Sequence, residues 1–412
     1  MKRLRSALTA ASLLLLSVGT ASGRPITLAE ALAAADKSPT LSIATAQVDE
    51  ARGNAEQAGK YNYNPALELT AGRARAGGKT FYDFELGISQ AIELGGKRSA
   101  RRRVASAERD AASENLTAAR NAVRAEVRRS FELALVAKAR VAVTTENELA
   151  AKEFRAAADE RLKLGAATQT DVNVAVASLG RALAAKKAAE RDLLLAQQAL
   201  GEALGSPGAD LEPTGSLPRF AQPTKPEDQL VSDALGTRRD LIAAERMRDA
   251  RAAGVELADA VATPDPELSV TWARDAVDGA NAVIVGVRLE LPVWNRNQGS
   301  RHAARAQRTR ATIEATAFRT GVEREVRTAA RRFRAASEAI SSFDEQVVGT
   351  LAENLKLARD SLAAGKLGLL DLNTVRRDLV ESQLTYLDSI AEAIEARAAL
   401  DRALGRPLEG TP

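Results

Sequence analysis

Four segments of the chain alternate apolar and polar residues, a pattern typical of β-strands with one apolar and one polar face. They cover residues 66–71, 82–89, 267–272 and 283–291. Turn-rich loops are predicted between the members of each pair, at residues 72–79 and 274–281. Strands of this kind suit the wall of a transmembrane barrel, and they equally fit two solvent-exposed hairpins of an ordinary α+β protein.

Most of the remaining chain has apolar residues at every third or fourth position, which predicts amphipathic helices. Thr27 and Glu30 have the spacing of a capping box and predict a helix from Thr27 to about Lys60. Residues 99–164 contain neither glycine nor proline, so they predict one helix that could reach about 100 Å. The other helices are expected at about 169–204, at about 299–364 with Gly321 and Gly349 inside it, and before the C-terminus.

The second half of the chain repeats the first. Residues 165–173 align with residues 365–373, and residues 203–207 align with residues 403–407, without a gap. A repeat of this length indicates a duplicated domain rather than a solenoid unit. The predicted division is 1–23, 24–220 (hairpin about 65–94, helical hairpin about 98–204) and 221–412 (hairpin about 266–293, helical hairpin about 298–404). Prolines from Pro207 to Pro226 predict an extended linker, with the second copy beginning near Ala221.

The N-terminus has the pattern of a secretory signal peptide. A basic stretch, residues 1–5, is followed by an apolar stretch, residues 6–20, and by the small residues 21–23. The mature chain is therefore expected to begin near Arg24, outside the cytoplasm. No later run reaches 18 apolar residues, so no transmembrane helix is predicted.

The composition limits the classes of function that the chain could have. Apolar residues make up 45% of the chain but aromatics only 3%, and alanine supplies much of the rest, which is typical of long helices. The net charge of +4 is spread along helices and does not indicate nucleic-acid binding. With no cysteine and with His302 as the single histidine, neither a disulfide nor a soft-metal site is expected. No hydrolase, zinc-protease or phosphate-loop motif occurs, so we predict neither an enzyme nor a cofactor.

Four strands cannot close a membrane barrel, which needs about eight, and an open sheet edge in lipid leaves backbone groups unpaired. If the strands lie in a membrane, the protein must oligomerise. The predicted fold is mainly α with β: a duplicated helix–β-hairpin–helix–helix repeat that forms a trimeric 12-strand β-barrel plus a long coiled-coil α-barrel.

The layout resembles the TolC-type outer-membrane efflux proteins, or outer-membrane factors. Residues 90–98 (QAIELGGKR) and 291–299 (LPVWNRNQG) resemble the CzcC-like heavy-metal branch. The resemblance implies a homotrimeric, passive exit duct in the outer membrane of a Gram-negative bacterium, with a periplasmic extension. Its implied partners are a periplasmic adaptor (membrane fusion) protein, an inner-membrane RND pump and outer-membrane lipid, and its implied cargo is divalent heavy-metal cations. Alternatives are export of drugs or secreted proteins, or a soluble periplasmic coiled-coil adaptor.

The two strand-to-helix junctions are the first candidate sites. Turn and break residues are needed where strand geometry becomes helix geometry. The candidates are Gly95, Gly96, Lys97, Arg98, Pro292, Asn295, Arg296 and Asn297. The basic residues there and in the following turns, among them Arg101, Arg102, Arg103, Arg301 and Arg305, could meet anionic lipid headgroups or form a solvated helix face.

The helix–helix turns are the second candidate site. Gly165 and Gly365 suit the position after a helix end, Thr168 begins the return helix, and Asp171 and Asp371 lie in the first turn, where a carboxylate complements the helix dipole. Capping alone would explain the aspartates. The resemblance implies, in addition, that these turns form the periplasmic tip, contact the adaptor and line an aperture where carboxylates favour cations.

Overall fold

The computed structural model describes residues 23–220, 225–274, 279–342 and 366–407, together with a few residues between 350 and 364. The predictions for residues 1–22, Ala221, the middle of the 274–281 loop, Gly349 and Gly365 lie outside this part of the chain. The elements are β1 (Arg24–Ile26), α1 (Leu28–Ala35), α2 (Pro39–Ala58), β2 (Ala66–Ala76), β3 (Lys79–Ala91), α3 (Lys97–Lys163), α4 (Gln169–Ala203), β4 (Leu211–Pro213), α5 (Glu227–Thr237), α6 (Arg239–Val261), β5 (Glu267–Arg274), β6 (Asn281–Arg288), α7 (Gln298–Ser342) and α8 (Leu369–Leu404).

The long strands form one antiparallel sheet in the order β2-β3-β5-β6. The predicted loop at residues 72–79 is wrong, because β2 continues to Ala76 and pairs with β3 from Lys79. The turn itself contains only Gly77 and Gly78, with φ of 59° and 79°. Positive φ at both central positions is the requirement of a type I′ hairpin turn, which glycine meets without strain.

The register sorts the side chains onto two faces. One face has complete four-strand rows of apolar residues: Leu67, Ile88, Val270 and Val285 in one row, and Leu69, Leu86, Trp272 and Val283 in the next. These side chains are between 40% and 74% exposed. The opposite face carries mainly small and polar residues, among them Glu68, Thr70, Glu85, Ser269 and Thr271.

The N-terminal helix is interrupted, contrary to the single helix predicted for residues 27–60. The capping box is present, since the Thr27 amide donates to Glu30 Oε2 (2.8 Å) and the Glu30 amide donates to Thr27 Oγ1 (3.3 Å). The helix that it begins ends at Ala35, and Pro39 begins α2. Proline lacks an amide hydrogen and fits only the first turn of a helix, so it separates the two helices.

The region between the copies is not simply an extended linker. Leu211–Pro213 forms β4, which pairs in parallel with β1, the segment that follows the expected cleavage site. The Arg24 amide also donates to the Asp210 carbonyl at 2.8 Å. This small sheet holds residues 24–26 against the segment that follows α4.

The helices form a long bundle in which α3 packs against α2, α4, α6 and α8. Val127, Phe131 and Leu135 lie four residues apart along α3 and pack against Leu200 of α4 and Leu204 just beyond it. A second core joins α7 to α8 through Val322, Val326, Phe333 and Leu400, and a third joins α3 to α8. Many contact positions are buried alanines, which let helices approach closely. Within the described residues, no helix is both long enough and apolar enough to cross a membrane.

Candidate functional site

The first junction turns the chain sharply between β3 and α3. Gly95 and Gly96 both have left-handed φ, 71° and 73°, and Lys97 begins the helix. A Cβ atom on Gly95 would lie 2.8 Å from Thr263 Oγ1 and 3.2 Å from the carbonyl oxygen of Ala260. Glycine is therefore required at position 95 both for its conformation and for the close approach to the end of α6.

Asp265 is the centre of this junction. Its Oδ1 accepts from the Leu94 amide (2.8 Å), and its Oδ2 accepts from Tyr63 Oη (2.9 Å) and lies 2.8 Å from Lys97 Nζ. The carboxylate and ammonium side chains are 9% and 10% exposed. Burial alone would raise the pKa of Asp265, but the three donors outweigh it and hold the pKa below its ordinary value. The hydrogen bond to Asp265 in turn raises the pKa of Tyr63.

Lys97 therefore fits neither the lipid-headgroup nor the solvated-face interpretation, because a buried partner occupies its ammonium group. Five of the basic residues that follow also have intramolecular partners. Arg98 Nε donates to the Gly59 carbonyl at 2.8 Å. Arg101 pairs with Glu93, Arg103 with Glu256, and Arg301 and Arg305 with Asp259. These contacts fasten the starts of α3 and α7 to neighbouring helix ends.

The second junction, between β6 and α7, is built from asparagine rather than glycine. Asn297 has φ of 59°, a conformation that asparagine tolerates better than most residues, and its Nδ2 donates to the Ala258 carbonyl at 2.8 Å. Asn295 Oδ1 accepts from the Asn297 amide (3.0 Å), and the Arg296 amide donates to Gln298 Oε1 (2.8 Å). Both junctions thus meet the carbonyl end of α6.

A cleft of about 830 Å³ opens between the junctions on the polar side of the sheet. Pro292, Asn295 and Asn297 line it, together with Lys97 and Asp265. Exposed apolar residues, including Leu291 (71%) and Trp294 (89%), lie along the same segment. The described residues contain no group of three or more His, Asp or Glu side chains placed to hold a metal ion.

At the first helix–helix turn, Gly165 follows the end of α3 with φ of 70°. Its amide donates to the Leu162 carbonyl (3.0 Å), and the Ala166 amide donates to the Arg161 carbonyl (2.7 Å), the bond pattern of a Schellman motif. Thr168 then caps α4: its amide donates to Asp171 Oδ2 at 2.8 Å, and the Asp171 amide donates to Thr168 Oγ1 at 3.3 Å. The bond from the Thr168 amide lowers the pKa of Asp171.

The second helix–helix turn has a weaker cap. Asp371 Oδ2 accepts from the Gly368 amide at 3.1 Å, but glycine at 368 has no hydroxyl to return the bond as Thr168 does. The Lys366 amide donates to the Ser361 carbonyl at 2.9 Å, the same span as the bond from Ala166 to Arg161. Gly365 itself lies outside the described residues. Both aspartates therefore cap helices, and a role in an aperture stays a prediction.

One polar contact between the two copies escaped the sequence analysis. Arg376 on α8 donates through Nη2 to Ser178 Oγ on α4 (2.7 Å) and to Asn373 Oδ1 (2.8 Å). Its guanidinium lies over the Phe154 ring of α3, 5.6 Å from the centroid. Arg376 is only 8% exposed. A single arginine on an arginine-rich helix gives no signal of burial in the sequence, since the burial depends on the neighbouring helices.

Comparison with known proteins defines the class. The family model described as "Outer membrane efflux protein" matches residues 32–206 and 230–406. The Cobalt-zinc-cadmium resistance protein CzcC of Cupriavidus metallidurans is 30% identical over 93% of this chain and 90% of its own length. The Nickel-cobalt-cadmium resistance protein NccC of Alcaligenes xylosoxydans xylosoxydans is 28% identical over 98% of this chain and 93% of its own.

Among solved structures, that of CusC, described as showing folding and transmembrane channel formation, superposes with a TM-score of 0.77 and 19% identity over 92% of each chain. The fold is therefore shared with CusC. The chain belongs to the outer membrane efflux protein family. The resemblance to TolC-type proteins of the CzcC-like branch, predicted from residues 90–98 and 291–299, is confirmed.

Proposed function

We propose that this chain is the outer-membrane channel subunit of a tripartite RND-type efflux system and a passive exit duct for divalent heavy-metal cations. The choice of cargo is supported by the similarity to CzcC over 93% of the chain and by the similarity to NccC. Family membership favours a channel over the coiled-coil adaptor considered from the sequence. The inner-membrane pump would supply the energy, and a periplasmic adaptor would join pump and channel.

The sheet supports a trimeric assembly. Within the described residues, β2 and β6 each pair on one side only. Because the strands alternate in direction and are even in number, β6 of one chain and β2 of the next run antiparallel in a ring. Three copies would close a twelve-stranded cylinder that leaves no unpaired edge in lipid, with the apolar rows facing outward.

The inner face of such a cylinder would favour cations. The polar face of the strands carries Glu68, Asp83, Glu85 and Glu267. Its basic residues are Lys79 and Arg288, and Arg288 pairs with Glu267 at 3.2 Å. Carboxylates that outnumber basic groups along a pore raise the local cation concentration.

The remaining sequence predictions fit this proposal. The chain would consist of two structural repeats, residues 24–220 and 221–412, after a signal peptide of residues 1–23. The element order from α1 to α4 recurs from α5 to α8, which supports the division. The turns around Gly165 and Gly365, with Thr168, Asp171 and Asp371, would form the periplasmic tip, meet the adaptor and border the aperture.

Deletion of the gene tests the cargo. We expect lower tolerance to cobalt, zinc or cadmium salts, restored by the wild-type chain but not by Val285→Arg, a variant designed to prevent assembly. Growth with dyes and detergents is measured in parallel. Unchanged tolerance to every metal would contradict the metal assignment, and a selective loss of tolerance to organic compounds would replace it with drug export. Recovery of the chain as a monomer in the periplasmic fraction would refute the channel itself.

A further inference from the structure

Within the described strands, the acidic residues lie on one face of the sheet only. The described strands place Glu68, Asp83, Glu85 and Glu267 on the polar face. Their apolar face has no carboxylate but has three arginines, Arg73, Arg75 and Arg274, all exposed. The sequence alone assigned these arginines no role, because all three fall in the loops predicted at residues 72–79 and 274–281.

The arginines lie at one end of the apolar rows. Arg274 is two residues beyond Trp272 and opposite Phe84, and Arg73 is one row further, opposite Tyr82. Arg75 follows on the same strand, where its Nε lies 3.5 Å from Thr80 Oγ1. Two strand spacings and one two-residue step put the Cα atoms of Arg73 and Arg274 on the order of 12 Å apart. Flexible arginine side chains can therefore reach neighbouring anionic groups of one ligand.

This end of the sheet is the one distant from the helices, since the hairpin turn at Gly77 and Gly78 closes it and the junctions close the other. Among the residues that the structure describes, Arg73 and Arg274 have no ion pair. In this they differ from Arg101 and Arg301 at the junctions, which have carboxylate partners.

We propose that Arg73, Arg75 and Arg274 bind the phosphate groups of the phosphorylated glycolipid in the outer leaflet of the membrane. The inference rests on the proposed function, which puts the apolar rows in lipid with the hairpin turns outermost. Arginine pairs with phosphate through two parallel hydrogen bonds, and these three residues stand where the apolar surface ends and headgroups begin. Tyr82 and Phe84, beside them, have the aromatic character of a membrane-interface belt.

The test uses the full chain, purified as its assembled form in detergent and titrated with diphosphorylated lipid A, with bound lipid quantified by mass spectrometry. Each Arg→Gln change should weaken binding about fivefold, and all three roughly a hundredfold, from the usual contribution of a basic residue near an anionic surface. The triple Arg→Lys variant should bind more weakly than the wild type and more tightly than the triple Arg→Gln variant, because it keeps the charge but loses the paired hydrogen bonds.

The matched control removes three charges from exposed helix positions that have no ion pair among the described residues, in Arg181→Gln, Arg308→Gln and Arg324→Gln together, and should bind lipid A as the wild type does. Equal lipid A binding by the wild type and the Arg73, Arg75 and Arg274 triple variant would overturn the proposal. So would an equal loss in the control, or equally tight binding of inorganic pyrophosphate. Failure of the chain to assemble or to reach the outer membrane is seen before lipid is added and refutes the proposed function instead.

Discussion

A charge placed on each face of β6 tests whether the apolar rows face lipid. Val285 lies in the row with Leu67, Ile88 and Val270 and is 74% exposed in the single chain. Ile284, its neighbour, points to the polar face opposite Thr271 and is 55% exposed. The two substitutions Val285→Arg and Ile284→Arg therefore have the same chemistry and nearly the same height, and they differ only in the face that receives the charge.

The magnitude follows from the depth of Val285. Asn281 shares a row with Arg274, four residues from Val285, which is about 14 Å along the strand and about 10 Å along the membrane normal after a tilt near 40°. Val285 therefore lies near the middle of an apolar band about 25 Å tall. An arginine there should cost about 2–4 kcal/mol per chain, or about 30- to 1000-fold in the folding equilibrium. Ile284→Arg should cost less than about 0.5 kcal/mol.

A depth series sharpens the test. The cost should fall from Val285→Arg through Val283→Arg to Asn281→Arg, where it should be about 0–1 kcal/mol. The measurements are the fraction of heat-resistant oligomer in membrane fractions and the midpoint of denaturant unfolding in reconstituted vesicles. Equal damage from Ile284→Arg and Val285→Arg, or a normal oligomer yield from Val285→Arg, would show that the assigned face does not meet lipid.

Three further predictions concern the helices. Glu132 and Arg397 form an ion pair in which the side chains are 5% and 2% exposed. Glu132→Leu should therefore lower the free energy of chemical unfolding by about 3–5 kcal/mol, and adding Arg397→Met should restore most of it. An equally large loss of stability in the double variant would contradict this. Asp371→Ala should change single-channel conductance or cation block if its carboxylate borders the aperture, and identical traces would leave only capping. Bonds from Lys152 and Lys186 hold the pKa of Glu148 at about 2, against an ordinary 4.5. These bonds thus stabilise the fold above pH 4.5, and the effect is lost as the pH falls toward 2. Glu148→Gln should flatten that part of the pH–stability curve.

The sequence predicts each strand only over the residues where one face is apolar and the other is polar. Alternation identified residues 66–71 and 82–89, but β2 continues to Ala76. The alternation disappears there because Arg73 and Arg75 occupy the face that Leu67 and Leu69 occupy further down. A strand that leaves an apolar environment no longer needs apolar residues on its outer face, so its sequence is read as a loop although its backbone pairing continues.

The junctions depend on contacts between residues distant in the sequence, which hydrophobic periodicity does not predict. Gly95, Gly96, Pro292 and Asn295 were recognised as turn residues from local chemistry, but Asp265 was not, because its partners are distant in the sequence. Tyr63 precedes it by 202 residues. Lys97 was interpreted as a surface cation, yet it forms a buried pair with this aspartate.

The end of α6 brings these parts together. Gly95 approaches the Ala260 carbonyl of that helix, Asn297 Nδ2 donates to its Ala258 carbonyl, and Arg301 pairs with its Asp259. The first junction opens α3 and the second opens α7, so one helix end from the second copy orients the long helices of both copies under the sheet. Asp265, four residues beyond this helix, adds the link to Lys97. The position of the sheet above the helices therefore depends on contacts between the two repeats, and the sequence of one repeat alone does not predict them.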